Sequence, residues 1–318
     1  MRKLLVTLAL SGATFAASAA FPDKPITLVI PYPPGGAVDV TGRIIALGLE
    51  SQLGQPVIVD NKPGAGTVLA AGALARAPAD GYTLLLSGNT TFTVNPALRA
   101  NLPYNPLTSF ESIGNIGYST LVLLANKDYK PNSLAEVISD AKARPGKLSY
   151  ASFGSGTTAH LAGEMLKQQA GIDMVHVPYK GSAPAMTDLL GGRVEMSIDT
   201  TVAAAPQVAA GKLKAIAVTT VKRSATMPGV PTFAEAGIPG FDMSPWIAVV
   251  APKGLPPPVA RMLADALSRT LASPEIRAQL EKVGITVDPA PPMVYQQRVE
   301  RELPQLRALI ARTGIKID

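Results

Sequence analysis

Hydrophobic positions along this chain fall into short runs that alternate with longer segments of helical periodicity. Runs rich in Val, Ile, Leu and Thr at residues 26–30, 57–61, 83–87, 113–117, 120–125, 147–151, 174–178, 195–199, 214–219 and 247–251 read as strands. Between them, apolar residues recur at three- and four-residue spacing over 38–53, 66–77, 134–143, 158–170, 183–190 and 202–210. The tail from Pro257 to Arg312 reads as mostly helical. This alternation predicts an α/β fold with parallel-rich sheets flanked by helices.

At two places a strand runs through a glycine-rich turn straight into a helix. The first turn is Pro31-Tyr32-Pro33-Pro34-Gly35-Gly36-Ala37, and the second is Ser152-Phe153-Gly154-Ser155-Gly156-Thr157. Glycine lets backbone approach a ligand closely, and the free N–H groups and positive dipole end at a helix start favour an anion. Two such turns, far apart in sequence, suggest two lobes gripping one anion beyond the carboxyl ends of their strands. A proline-rich stretch with Pro96, Pro103 and Pro106 precedes strand 120–125, and a loop rich in proline and glycine precedes Ser244-Pro245-Trp246-Ile247. These two strands are expected to cross between lobes. Residues 21–123 plus 244–318 then form one lobe and 124–243 an inserted second lobe, with the two crossovers acting as a hinge.

A length of 318 residues agrees with two lobes, because it exceeds what a single core usually fills. The N-terminus changes the compartment. Arg2-Lys3, the apolar residues 4–10 and the small-residue site Ala17-Ser18-Ala19 read as a cleaved signal peptide over residues 1–20. Ser11, Gly12 and Thr14 interrupt an apolar stretch already short against the ~20 residues a spanning helix needs. The absence of cysteine excludes a disulfide framework, a thiolate metal site and a lipid-modified cysteine. Loss of Arg2 and Lys3 leaves 27 basic against 23 acidic side chains, scattered and without aromatic interleaving, so no nucleic-acid partner is expected.

Several motifs then carry a resemblance. Pro33-Pro34-Gly35-Gly36 followed by Asp39, Asn61-Lys62-Pro63-Gly64-Ala65-Gly66, Pro78-Ala79-Asp80-Gly81-Tyr82-Thr83-Leu84, His176-Val177-Pro178-Tyr179-Lys180-Gly181, Asp188-Leu189-Leu190-Gly191-Gly192 and Pro231-Thr232-Phe233-Ala234-Glu235-Ala236-Gly237 occur in this order. Together they resemble the Bug receptors, the periplasmic solute receptors of tripartite tricarboxylate transporters. The resemblance implies a type II periplasmic-binding-protein fold: two α/β lobes joined by two crossover strands, with an organic acid in the cleft. It also implies a periplasmic location, a small carboxylate ligand (a di- or tricarboxylate, or an aromatic acid) and the membrane subunits of such a transporter as partners. A monomer that needs no cofactor follows from the same reading.

Candidate site residues follow residue by residue. Gly35, Gly36 and Ala37 are expected to present N–H groups to a carboxylate, with Tyr32 and Pro33 shaping the wall. Ser87, Asn89 and Thr90 end the third strand and supply hydroxyls and an amide. Ser152, Gly154, Ser155, Gly156 and Thr157 are expected to hold the distal end of the ligand, with Tyr179 nearby. Asp199 either accepts from a ligand hydroxyl, amine or water, or caps the following helix. Asp39, in the first turn of a helix, is read as structural, and His160 as packing.

Three departures bear on specificity. Phe153 stands where the resemblance implies a smaller residue, Ile198 precedes Asp199 where phenylalanine is common, and Gly42 replaces the usual alanine before Arg43. With Tyr32, Phe92 and Trp246 as further aromatics near the cleft, two readings stand: a flat aromatic ligand, or aromatics that pack at loops and hinges.

Enzyme motifs fail on spacing. Gly154-Ser155-Gly156-Thr157-Thr158-Ala159 fits a dinucleotide turn, but Asp173 precedes the next strand instead of ending it. No serine lies in G-x-S-x-G, and Ser139-Asp140-Ala141-Lys142 has no K-T-G partner. His160 and His176 stand without H-E-x-x-H. No catalytic residue, metal ligand or cofactor is therefore assigned. The alternative readings are an exported hydrolase of a carboxylate ester and a ligand sensor for a membrane signalling partner.

Overall fold

The computed structural model describes residues 21–313, so the signal peptide expected over 1–20 lies outside the described residues. The chain opens with β1 (Ile26–Ile30), α1 (Ala37–Leu53), β2 (Val57–Asn61), α2 (Val68–Leu74) and β3 (Thr83–Gly88). β1 pairs in parallel with both β2 and β3, as strands joined by helical crossovers do. A π-helical turn over Thr90–Val94 leads into α3 (Asn95–Leu98), and β4 (Phe110–Ser119) rejoins the same sheet. After Thr120 the chain enters a second sheet with β5 (Leu121–Asn126), α4 (Leu134–Ala143), β6 (Ser149–Ser152), α5 (Thr158–Ala170), β7 (Val175–Pro178), α6 (Ser182–Leu190), β8 (Met196–Thr200), α7 (Thr201–Ala209) and β9 (Leu213–Val218). It returns to the first sheet at β10 (Trp246–Pro252) and ends with α8 (Pro257–Ala272), α9 (Pro274–Lys282), β11 (Ile285–Ala290) and α10 (Met293–Thr313).

Strand order is β11-β4-β10-β3-β1-β2 in the first sheet and β7-β6-β8-β5-β9 in the second. Both sheets are mixed. β10 runs antiparallel to β3 and β4, and β11 antiparallel to β4, while β5 runs antiparallel to β8 and β9. The parallel pairing expected from the alternation thus holds among β1, β2 and β3 and among β6, β7 and β8. Reversal falls on the strands by which the chain enters or re-enters a sheet, together with β11.

Each sheet is apolar on both faces, which is why its strands read as continuous hydrophobic runs. In the first, Ile26, Leu28 and Ile30 face α1 and α8 through Ile45, Leu49, Leu263 and Leu267, while Val29 and Leu85 face Leu74, Phe92 and Tyr295. In the second, Leu121 and Leu123 pack with Tyr150, Leu161 and Ile198, and Val122 and Leu124 pack with Ala185 and Leu189. α10 touches both cores, placing Tyr295 and Val299 on the first and Leu306 and Ile310 against the second.

Two elements differ from the expectation. The tail contains β11, where Ile285 and Val287 are buried and Thr286 and Asp288 exposed. This period of two is short and is followed by Pro289 and Pro291. Helix 66–77 instead begins with a 3₁₀ turn at Ala65–Thr67, in which Ala65, Gly66 and Thr67 all have positive φ.

Close helix–sheet packing depends on Gly163 in α5. A Cβ there would lie 2.2 Å from Cε2 of Tyr150, whose fully buried ring is tethered by its hydroxyl to Glu164 at 2.7 Å. Gly163→Ala is expected to lower the unfolding free energy by about 1–3 kcal/mol through overpacking, against a helix-propensity gain of about 1 kcal/mol. Urea unfolding measures it.

Candidate functional site

The first wall of the cleft is the turn between β1 and α1. Gly35 has φ +90°, a conformation glycine adopts without strain, and its N–H donates to Asp39 Oδ2 at 2.9 Å. Asp39 is buried and also accepts from Arg43 Nε at 3.1 Å, Arg43 Nη2 at 3.0 Å and Asn61 Nδ2 at 2.9 Å, while Asn61 Nδ2 reaches the Tyr32 carbonyl at 2.9 Å. Burial works to raise the Asp39 pKa, but the Arg43 guanidinium, the Gly35 N–H and Asn61 outweigh it and hold the carboxyl below its usual range. This cluster clamps the turn from behind. Gly36 caps α1 in an extended conformation, and the first N–H groups of the helix remain unused by its own ladder.

The second wall comes from the turn before α6. Gly181 has φ +121°, and a Cβ on it would lie 3.1 Å from Pro33 Cγ and Cδ across the cleft. A Cβ on Gly36 would lie 3.9 Å from Ser182 Oγ. The N-terminal ends of α1 and α6, one from each sheet, therefore face each other across a gap the width of a small group. Ser182 Oγ donates to Asp199 Oδ1 at 2.7 Å, and the Thr200 N–H donates to the same oxygen at 2.7 Å.

Between these walls lies a narrow space with room of about 50 Å³, opening to solvent at its mouth. Its lining adds Asn89 and Thr90 after β3, Phe153 and Thr158 from the β6–α5 connection, Ser119 at the crossing into β5, and Pro245, Trp246 and Ile247 at the return crossing. Among the described residues no lysine, arginine, aspartate or glutamate lines it. Burial pushes the Tyr32 phenol up to about 12, and a hydrogen bond with Thr90 acts in the opposite sense. Direct bonds close the far side: Thr90 Oγ1 to Thr158 Oγ1 at 2.9 Å, Thr158 N–H to Thr90 Oγ1 at 3.2 Å, and Thr158 Oγ1 to Asn89 Oδ1 at 3.1 Å. An arrangement of dipoles and hydroxyls without a cation can hold an anion through charge-assisted hydrogen bonds.

Of the residues singled out in sequence, Tyr32, Pro33, Gly36, Asn89 and Thr90 line this space, and Ala37 follows as the first residue of α1. Gly35 lies beside it with its N–H committed to Asp39. Ser87 is buried and bonded to Thr91 Oγ1 at 2.5 Å. The turn 152–157 directs its donors inward: Gly154 N–H goes to Ser152 Oγ, Gly156 N–H to His160 Nδ1 at 3.1 Å, and Thr157 Oγ1 to the Gly154 carbonyl at 2.7 Å. Ser152 Oγ sits 2.7 Å from His176 Nε2 with no exposed surface, and burial, then the nearby His160 and Lys167, push the His176 imidazole down to about 3. The Ser155 carbonyl packs against Gly66, where an added Cβ would lie 2.8 Å from it. Tyr179 turns away to Asp188 Oδ2 at 2.7 Å. Asp199 stands behind Ser182 and Thr200, and the side chain of Thr200 caps α7.

The sequence reading predicted the helix at 183–190 but did not place its N-terminal turn, Gly181–Ser182, in the site. Pro178-Tyr179-Lys180-Gly181 is a third strand–glycine turn–helix, and that recurrence was the available signal. Among the departures, Phe153 and Trp246 reach the cleft, Phe92 stacks behind Trp246 at 5.8 Å, and Ile198 is buried in the second core. At Gly42 a Cβ would lie 2.5 Å from Ile30 Cδ1, so alanine there requires the end of that side chain to shift.

Comparison with known proteins agrees with this geometry. The family model described as the tripartite tricarboxylate transporter family receptor matches residues 41–315. Protein BugT of Bordetella pertussis is 36% identical over 323 residues, covering 100% of this chain and 99% of its own. A Rhodopseudomonas palustris protein solved with adipate superposes with TM-score 0.90 at 34% identity, covering 93% of this chain and 99% of its own. MatC of the same organism, solved with bound malate, gives TM-score 0.86 at 33% identity, covering 91% and 100%.

Asp199 gives the cleft a measurable signature. Its Oδ2 is buried with no hydrogen-bond partner among the described residues, and burial raises its pKa to about 6, with Ser182 and Thr200 acting in the opposite sense. The folded chain therefore keeps this proton over a window, from about 4 to about 6, where the unfolded chain has lost it. Stability contributed by the protonated form is present below pH 4 and is lost as pH rises through 6, on the order of 3 kcal/mol. Unfolding titrations of wild type and Asp199→Asn across pH 4–7 are expected to show the wild type gaining relative to the variant as pH falls. A difference constant with pH contradicts the assignment.

Proposed function

Because the chain belongs to the tripartite tricarboxylate transporter receptor family, we propose that it is a periplasmic receptor that captures one small carboxylate and delivers it to the membrane subunits of such a transporter. The observation that carries this reading is the convergence of the α1 and α6 N-termini, with no charged side chain among the described residues lining the space between them. The adipate- and malate-bound relatives support a carboxylate as the ligand class. The apolar N-terminal segment with Arg2-Lys3 supports export.

Capture begins at the α1 turn, which the Asp39 cluster holds in place before any ligand arrives. Closure then brings Gly181 against Pro33, adds the α6 N-terminus and the Tyr32 hydroxyl, and forms the Thr90–Thr158–Asn89 bonds. Micromolar affinity corresponds to about 8 kcal/mol. Several charge-assisted hydrogen bonds at roughly 1.5–3 kcal/mol each supply that after ordering costs. The chain acts by binding and release without turnover in this reading: Ser152 has no exposed surface, and its hydroxyl is committed to His176 and to the Gly154 carbonyl, which pins the 152–157 turn.

Gly36→Val tests the site. The φ of −82° at Gly36 suits any residue, so the variant is expected to fold with an unfolding temperature within a few degrees of wild type. Its side chain fills the space facing Ser182, so stabilisation by adipate, malate or benzoate is expected to vanish. A thermal shift equal to that of wild type removes the assignment. In the same screen, wild type is expected to bind at one to one with no product formed.

A further inference from the structure

We propose that Phe153, together with Tyr32 and Trp246, makes this cleft selective for a flat aromatic carboxylate, an inference that rests on the carboxylate reading above. The two helix N-termini lie so close together that they serve a single carboxylate, with Gly36 and Ser182 separated by little more than one atom's width. A second carboxylate held within this same space would meet no lysine or arginine among its described lining residues, Arg298 and Arg301 belonging to a neighbouring space beside Trp246, and the hydroxyls and amide here are already bonded among themselves through Thr90, Thr158 and Asn89. Burying a charge under those conditions is costly, so the rest of the ligand is uncharged.

The wall that this uncharged part meets is aromatic and held in place. Tyr32 and Phe153 meet edge to face at 6.1 Å and 86°, and both keep part of their surface exposed. The Trp246 ring lies nearly parallel to Phe92 at 5.8 Å, and its Nε1–H donates to Glu302 Oε2 at 2.8 Å. Of residues 152–157, Phe153 alone lines the cleft. The bonds of Ser152 to His176 and of Gly156 to His160 fix its position on either side. Rings that need no reordering favour a rigid planar partner, because little rotamer freedom is lost when it binds.

Isothermal titration of benzoate, hexanoate and adipate into wild type, Phe153→Ser and Phe153→Leu tests the proposal, the leucine variant keeping most of the buried volume. Wild type is expected to bind benzoate at least about tenfold more tightly than either aliphatic acid, and both variants to lose that preference. Equal or tighter binding of hexanoate or adipate by wild type overturns the proposal, as does a preference retained in both variants. If adipate or hexanoate binds and benzoate does not, aromatic selectivity falls while the carboxylate reading stands. If none of the three binds, both fall.

Discussion

The structure turns on two helix N-termini, from separate sheets, meeting across a gap that one small group fills. A free helix start carries unpaired N–H groups and roughly half a positive charge, and two facing each other repel unless an anion lies between them. Under the proposed function, closure of the cleft and capture of an anion are coupled by the geometry of Gly36 and Gly181–Ser182. The absence of charged lining among the described residues leaves the acid to peptide dipoles and hydroxyls. Selection then depends on the shape and polarity of the body attached to that acid, since no salt bridge dominates the binding energy.

Acidic side chains stand behind both donor sets without lining the cleft. Asp39 takes the Gly35 N–H, Arg43 and Asn61, fixing the first turn through a fully bonded carboxylate. Asp199 takes Ser182 and Thr200 through one oxygen and leaves the other without a partner, which fits its raised pKa. Each acid holds a turn in register while remaining outside the space a ligand carboxylate would occupy. Trp246 is held in the same way by Glu302 on α10, the helix that touches both cores. Burial raises the Glu302 carboxyl, although the Trp246 N–H and nearby arginines ease that cost.

Most of the fold was legible because its strands are buried on both faces and read as continuous apolar runs between helical periods. β11 was hidden by its two-residue alternation and adjoining prolines, features also compatible with a loop. In the site, the Pro33–Gly36 turn was legible because proline and glycine act locally, through backbone shape. The 152–157 turn misled for a tertiary reason: Ser152 Oγ and His160 Nδ1 accept the Gly154 and Gly156 N–H groups, Thr157 caps α5 at the His160 N–H, and Thr90 from the other wall accepts the Thr158 N–H. Gly181 and Ser182 were passed over in favour of Tyr179, two residues earlier, whereas the glycine and the helix start are what face the first wall. Phe153 was marked as a departure from the family pattern, but only the fold shows it facing Tyr32.

The central claim is that backbone dipoles recognise the negative charge of an acid. It is tested most directly by comparing the affinity of a bound acid with that of its primary amide, for example benzoate against benzamide, by calorimetry at neutral pH. The amide keeps the shape, removes the charge and turns an N–H₂ group toward N–H donors. The account predicts that the amide binds at least about a hundredfold more weakly, the loss of one or two charge-assisted hydrogen bonds. An amide that binds as tightly as the acid would contradict it.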